Sequence, residues 1–141
     1  MSNDDQLKVR QTVSKKKSFK ELTIVRDIIF WIDLVGEGQN ENAIFARPFN
    51  EKEAFPQKLT SKKYNIKNTF HGYGGKSYKC IYLKNNFYLI WIDQITNAVW
   101  FQIFKEVASN YRSQKRYLDS VQEPRQLLSL IHISEPTRHD Q

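Results

Sequence analysis

Cysteine and histidine are the scarcest reactive residues of this sequence. Cys80 is the only cysteine, so the chain cannot form an internal disulfide. Of the three histidines, His132 and His139 fall in the unusual C-terminal segment 128–141, which leaves His71 for the rest of the chain. One histidine and one cysteine cannot supply the three or four ligands of a zinc site. We therefore expect no metal site and no cofactor.

Long apolar runs are also missing. The first 18 residues are polar and lack the apolar core of a secretory signal. No stretch is long enough to span a membrane as a helix. We predict a flexible basic tail over residues 1–18, no membrane partner and a cytoplasmic location.

The C-terminal residues form an unusual segment. Residues 128–138 read Leu-Ser-Leu-Ile-His-Ile-Ser-Glu-Pro-Thr-Arg, which resembles the translation of a transposon-type sequencing adapter. Such a segment was never selected to fit a fold, so it carries no information about this one. We expect residues 128–141 to be an artefact that packs poorly and contributes no site, with the natural sequence interrupted near Leu127.

The net charge of +7 and the pI near 9.5 raise the question of nucleic-acid binding. The basic residues do not form a clear patch. Residues 15–17 and Lys20 make one lysine run, and the other basic residues are scattered between predicted strands. A run of this kind is usually a solvated tail. A small basic β domain that binds nucleic acid through aromatic stacking stays an alternative, although it is not the favoured one.

The middle of the chain contains an internal repeat. Ile-Ile-Phe-Trp-Ile-Asp at 28–33 aligns with Tyr-Leu-Ile-Trp-Ile-Asp at 88–93, and Asn-Ala-Ile-Phe at 42–45 aligns with Asn-Ala-Val-Trp at 97–100. Each unit reads as an apolar strand, a turn that begins at Asp, and a second aromatic strand. A hairpin repeated every fifty to sixty residues is typical of propeller blades. We expect Trp31, Trp91 and Trp100 to be core residues between sheets.

These patterns predict an all-β fold with antiparallel strands, made of the first one to two blades of a β-propeller. The predicted strands cover 19–25, 27–33, 42–49, 76–83, 86–93 and 98–104. The partial blades therefore occupy residues 19–106. Residues 107–127 are polar and are predicted to be a connector, either a short helix or a loop that ends at Pro124.

A dense glycine segment separates the two units. Residues 64–78 hold three of the five glycines and His71, directly before a predicted strand. This segment resembles the signature Asn-Val-Arg-x-x-Val-His-Glu-Tyr-Gly-Gly-Gly-x-Tyr of prolyl oligopeptidase-family peptidases of the acylaminoacyl-peptidase or dipeptidyl-aminopeptidase kind. Gly72 replaces the family's Glu, and Lys76 replaces its third Gly. The residues that carry the resemblance are Asn65, Lys67, His71, Tyr73, Gly74, Gly75, Asp93 and Gln94.

The resemblance implies a serine peptidase whose propeller controls the access of short peptides to a separate α/β-hydrolase domain. The matching residues belong to the propeller, so a structural role is expected for them, including His71. No Gly-x-Ser-x-Gly nucleophile elbow occurs in this chain. We therefore expect no catalytic residues here and no activity of the chain by itself, with peptide substrates bound by the full-length parent. A non-enzymatic propeller that serves as an interaction module is the second alternative.

The residues Gly75, Lys76 and Ser77 look like the end of a nucleotide-binding P-loop. A P-loop also needs a glycine five positions before its Gly-Lys pair and a helix after it. Phe70 occupies the glycine position, and a strand is predicted to follow. Nucleotide binding is therefore not favoured.

Overall fold

The computed structural model describes residues 20–36, 40–51, 53–67, 76–107 and 116–129 of the chain. These residues form nine β-strands and no helix, so the all-β prediction is confirmed. No helix in this described part could cross a membrane. The strands are β1 (Lys20–Val25), β2 (Ile28–Val35), β3 (Glu41–Pro48), β4 (Gln57–Lys58), β5 (Tyr78–Leu83), β6 (Asn86–Asp93), β7 (Ala98–Glu106), β8 (Leu118–Ser120) and β9 (Arg125–Ser129).

The strands build two antiparallel sheets. Sheet A has the order β1-β2-β3-β4, and sheet B has the order β5-β6-β7-β8, with β9 also paired to β7. β8 pairs with the last residues of β7 and β9 pairs with its first residues, so the two short strands share one edge of sheet B. Each sheet is thus four strands wide, which is consistent with a propeller blade.

Short turns make the sheets possible. Lys84 and Asn85 connect β5 to β6, and both have positive φ, at 52° and 67°. This is the conformation of the two-residue turns whose twist matches that of antiparallel strands. Asn97, with φ of 55°, ends the turn between β6 and β7. Asparagine tolerates this left-handed conformation better than most residues.

The internal repeat is reproduced in the strand register. Corresponding residues of the two units occupy corresponding positions in the two central hairpins. The equivalent cross-strand pairs are Trp31–Phe45 and Asp33–Ala43 in sheet A, and Trp91–Trp100 and Asp93–Ala98 in sheet B. The repeat therefore reflects two hairpins of the same construction.

The sheets pack face to face around one core. The inner face of sheet A contributes Ile28, Phe30, Ile32, Ile44 and Ala46, and the inner face of sheet B contributes Tyr78, Cys80, Phe87, Leu89, Trp91 and Phe104. The rings of Phe30 and Phe87 meet across the interface at 5.9 Å between centroids. Alternation along each strand places the remaining residues on two outer faces. The prediction that all three tryptophans lie between the sheets is wrong for Trp31, which is buried on the outer face of sheet A.

The predicted connector over 107–127 needs correction in its described part. Its described residues hold all of β8 and the first residues of β9, joined by loop residues, and no helix. These strands are short, polar and at a sheet edge, so they lack the apolar alternation that indicates a strand in a sequence. Both strands are held in place by pairing with β7. The start of β8 is also held by Gln57, whose side chain forms hydrogen bonds with the backbone of Tyr117 and Leu118 at 2.6–3.0 Å.

Only two residues of the predicted artefact at 128–141 are described. Leu128 and Ser129 complete β9, where they pair with Val99 and Ala98. Leu128 is 42% exposed, so its side chain contributes little to the core. The rest of that segment and the predicted basic tail over 1–18 lie outside the described residues.

Cys80 provides a test of the core. Its side chain is buried on the inner face of sheet B, and burial raises the pKa of the thiol to about 12. Since the thiolate is the reactive form, the folded chain should react only very slowly with Ellman's reagent at pH 8. The same chain in guanidinium chloride should release one equivalent of thionitrobenzoate quickly. Fast reaction of the native chain would contradict this packing.

Candidate functional site

Three of the eight residues taken from the family signature, Asn65, Asp93 and Gln94, meet where the segment between the sheets passes the end of β6. The backbone N–H of Asn65 donates to Oδ1 of Asp93 at 2.6 Å. The backbone N–H of Gln94 donates to the carbonyl oxygen of Asn65 at 2.9 Å. The two side chains also bond, from Nδ2 of Asn65 to Oε1 of Gln94 at 3.0 Å. Direct hydrogen bonds therefore join Asn65 to Asp93 and Gln94, two adjacent residues that lie 28 and 29 positions further along the chain.

Asn65 also binds sheet A. Its Oδ1 accepts hydrogen bonds from the backbone N–H of Asn42 at 2.8 Å and from Nδ2 of Asn42 at 2.9 Å. The next residue, Ile66, donates its N–H to the carbonyl oxygen of Asn42 at 2.9 Å and forms a β-bridge with Asp93. The segment therefore fixes β3 of one sheet to β6 of the other.

Asp93 is the centre of this arrangement. It is fully buried, and its Oδ2 accepts from the backbone N–H of Thr96 at 2.6 Å and from the Thr96 hydroxyl. The indole N–H of Trp100 donates to the same hydroxyl oxygen at 2.8 Å. The carboxylate ends β6 and closes the following turn, as the position of Asp in the repeat predicted. We call Asn42, Asn65, Asp93, Gln94 and Thr96 the sheet junction.

The chemistry of the sheet junction is that of a structural clamp. Both carboxylate oxygens of Asp93 accept hydrogen bonds from backbone N–H groups, so this side chain holds two backbone segments in place. Burial raises the pKa of the nearby Tyr64 hydroxyl, and the negative charges of Asp93 and Glu123 raise it further. Within the described residues no group of three His, Cys, Asp or Glu side chains is placed to hold a metal ion.

A cavity of about 570 Å³ lies beside the sheet junction. Its aromatic side is formed by Tyr64, Trp91 and Trp100, and the Tyr64 ring meets the two indoles edge-on at 5.3 and 5.1 Å between centroids. Lys63 and Glu123 line it as well, so the cavity carries charges of both signs. The aromatic rings pack on one another rather than presenting open stacking faces.

A second polar contact links the sheets through Glu21. This residue has φ of 51° and lies at an irregularity in the pairing of β1 with β2. Its carboxylate accepts from the N–H and the hydroxyl of Ser77 at 2.7 and 2.8 Å, and its carbonyl oxygen accepts from the Tyr78 hydroxyl at 2.6 Å. Ser77 is followed by β5 and not by a helix. An acidic side chain therefore occupies the place where a P-loop would bind a phosphate.

The structure leaves part of the predicted set undescribed. Lys67 is exposed, and His71, Tyr73, Gly74 and Gly75 lie outside the described residues. Sequence reasoning did not identify Asn42, Thr96 and Glu21 as contact residues. The Asn-Ala pair of the repeat was the one available signal for Asn42, whereas nothing in the sequence distinguished Thr96 or Glu21 from ordinary surface residues.

The sequence matches no family profile and no curated protein. Among solved structures, the chain is similar to one described as a puromycin-hydrolyzing peptidase of Mycobacterium tuberculosis, with a TM-score of 0.53. The match covers 79% of this chain at 14% sequence identity. It covers 14% of the chain of that peptidase, so this chain spans a small part of its structural neighbour. The likeness at this identity is one of fold, and it relates the two antiparallel sheets to part of a peptidase.

Proposed function

We propose that this chain is the first part of the β-propeller of a serine peptidase, and that the propeller controls which peptides reach a separate α/β-hydrolase domain. In this proposal the two sheets are two neighbouring blades. The chain itself supplies no catalytic group. Its function is to shape and support the entrance to a site that the rest of the parent protein forms.

The sheet junction is the observation that carries the proposal. Asn65, Asp93 and Gln94 were selected from the sequence because they resemble a peptidase signature, and they are in direct contact. They bond the segment that contains the signature to the ends of both sheets. The structural likeness to a peptidase gives independent support for the same origin.

The proposed substrates are short peptides, bound by the parent in the cytoplasm. The structural neighbour is described as hydrolysing puromycin, so amide bonds of small aminoacyl compounds belong to the substrates that should be tested. The buried indoles favour packing over base stacking, which supports the peptidase proposal over a nucleic-acid-binding domain. A non-enzymatic interaction module is separated from the peptidase by the experiment below.

The test uses an active-site-directed fluorophosphonate probe on two proteins, the full-length parent and the 141-residue chain. We expect labelling of the parent and none of the chain, because a serine nucleophile, its base and an oxyanion hole are all needed for reaction. The labelled parent should also hydrolyse a short peptide anilide and puromycin. Replacing the labelled serine with alanine is the matched control and should abolish both signals.

Two results would contradict the proposal. A folded full-length parent that is not labelled would show that the propeller serves as an interaction module. Labelling of the 141-residue chain would show that a nucleophile had been overlooked in it. Circular dichroism of each protein establishes that a negative result comes from a folded sample.

A further inference from the structure

We propose that the cavity beside the sheet junction binds a free α-amino acid with an aromatic side chain. The ammonium and carboxylate groups of the ligand lie at the mouth of the cavity, and its ring points inward. This binding needs no catalytic group, so it stands or falls separately from the proposed peptidase function.

The walls of the cavity divide into a deep part and a rim. The deep part consists of the lining residues that are buried, which are Thr60, Tyr64, Trp91 and Gln102. Ser61, Lys63 and Glu123 line the same cavity and are exposed, so they form its rim. The volume of about 570 Å³ lies in the range of pockets that hold small molecules.

The rim carries two opposite charges that are not used by the fold. Neither Lys63 nor Glu123 forms an ion pair in the part of the chain that the structure describes. A simple cation would compensate Glu123 and be repelled by Lys63, and a simple anion would be repelled by Glu123. A ligand with one charge of each sign gives both side chains a partner.

The position of both charges at the rim favours an α-amino acid among such ligands. In an α-amino acid the ammonium and carboxylate groups are attached to one carbon, so both can lie at the mouth while the side chain points away from them. A compound with its charges at opposite ends could enter the cavity only by placing one of them among the buried residues. An unpaired charge in such a place is costly.

The wall between the rim and the deep part is apolar. Leu59, Trp100 and Pro124 are half-buried and line it. An aromatic ring offers a large apolar area and packs well against an indole in edge-on or offset geometry. The wall therefore favours an aromatic side chain over a small or polar one.

The deep part offers a hydrogen-bond donor and an acceptor. The indole N–H of Trp91 is buried, and no described residue accepts its hydrogen bond. The Nε2 of Gln102 donates to Oγ of Ser120 at 2.7 Å and to the carbonyl oxygen of Gln122 at 3.1 Å, which leaves its Oε1 as an acceptor. Buried polar groups are normally paired. A phenol hydroxyl both donates and accepts, so tyrosine can supply a partner to either group.

The test records NMR spectra of the ¹⁵N-labelled 141-residue chain during a titration with L-tyrosine. Trp91 and Trp100 line the cavity, whereas Trp31 lies on the outer face of sheet A. L-tyrosine should therefore shift the indole N–H signals of Trp91 and Trp100 and leave that of Trp31 in place. Dispersed amide signals of the strands establish that the chain is folded.

Three analogues of the ligand test its chemical class on the unsubstituted chain. L-tyrosinamide lacks the carboxylate, N-acetyl-L-tyrosine lacks the ammonium group, and L-alanine lacks the ring. The titrations are done at about pH 6, where the amino groups are protonated. Each analogue should bind about threefold or more weakly than L-tyrosine, since each loses one of the proposed contacts.

Two substitutions at exposed positions assign the charges to the rim. Glu123→Gln should weaken L-tyrosine by about threefold and leave N-acetyl-L-tyrosine unchanged, because that analogue has no ammonium group to lose a partner. Lys63→Met should weaken L-tyrosine by the same amount and leave L-tyrosinamide unchanged. Lys62→Met changes the adjacent exposed lysine and is the matched control, so it should bind L-tyrosine like the original chain.

Three results would overturn the proposal. If L-tyrosine shifts neither cavity indole, the cavity does not bind an aromatic amino acid. If only the Trp31 signal moves, the ligand binds elsewhere. If L-tyrosinamide binds as tightly as L-tyrosine, the site takes an organic cation and Lys63 has no part in it. None of these results changes the labelling expected of the full-length parent, so the two proposals fail separately.

Discussion

Replacing Trp91 with alanine is expected to unfold most of the chain, through a loss of about 3–5 kcal/mol in the free energy of unfolding. Trp91 is fully buried and is among the largest side chains of the core. It packs edge-on against Tyr64, and it pairs with Trp100 on β7 and with Tyr78 on β5. Two blades offer a small core, since repeat folds usually need about three units for a continuous one. The loss therefore removes most of the available stability.

The conservative change Trp91→Phe is the matched control for this prediction. It keeps an aromatic ring and removes an indole N–H for which the described residues provide no hydrogen-bond partner. We expect it to cost about 1–2 kcal/mol, from reduced packing alone. Urea titration followed by circular dichroism measures both variants on one scale. A Trp91→Ala chain that unfolds at the same urea concentration as the original would show that the two sheets do not share a core.

The strands of the central hairpins could be predicted because their signal is local. Each strand is rich in apolar and aromatic residues and ends at a turn residue, such as Lys84 after β5 and Asp93 at the end of β6. The repeat of Trp-Ile-Asp and Asn-Ala indicates the pairing of β2 with β3 and of β6 with β7. A local pattern of this kind survives in any fold that pairs neighbouring strands.

The choice of faces could not be predicted from the same pattern. Trp31 and Trp91 are both followed by Ile-Asp at equivalent places of the repeat, yet Trp91 faces the other sheet and Trp31 faces away from it. Both faces of each hairpin are apolar, so alternation does not decide which one is covered. The decision comes from which sheet is next in space, and that depends on the whole fold.

The residues that make the contacts between the sheets also differ in whether the sequence could identify them. Asn65, Asp93 and Gln94 could be selected because the resemblance to a peptidase signature supplied information beyond this one sequence. Thr96 and Glu21 were missed because a threonine in a turn and a glutamate on an edge strand are ordinary by composition. Their partners lie three and fifty-six residues away, and only the folded chain brings the second pair together.

Replacing Asp93 with alanine is expected to cost about 3 kcal/mol, because its fully buried carboxylate accepts hydrogen bonds from two segments of the chain. The backbone N–H groups of Asn65 and Thr96 both donate to it at 2.6 Å. Removal of the acceptor leaves these part-buried N–H groups without their partner. The bonds from Asn65 to Asn42 depend on the same positioning, so the attachment of sheet A should weaken too.

Asp33 is the natural control, since the repeat places it at the equivalent position of sheet A. It is half-buried and accepts from the backbone N–H of Leu34 at 2.8 Å, in an exposed setting. Because Asp33 is only half-buried whereas Asp93 is fully buried, Asp33→Ala should cost less, about 1 kcal/mol. Amide hydrogen exchange should show faster exchange of Asn65 and Thr96 in the Asp93→Ala chain and no change at these amides in the Asp33→Ala chain. Equal losses of stability in the two variants would mean that the sheet junction has no special role, and that position in the repeat alone decides the contribution of each aspartate.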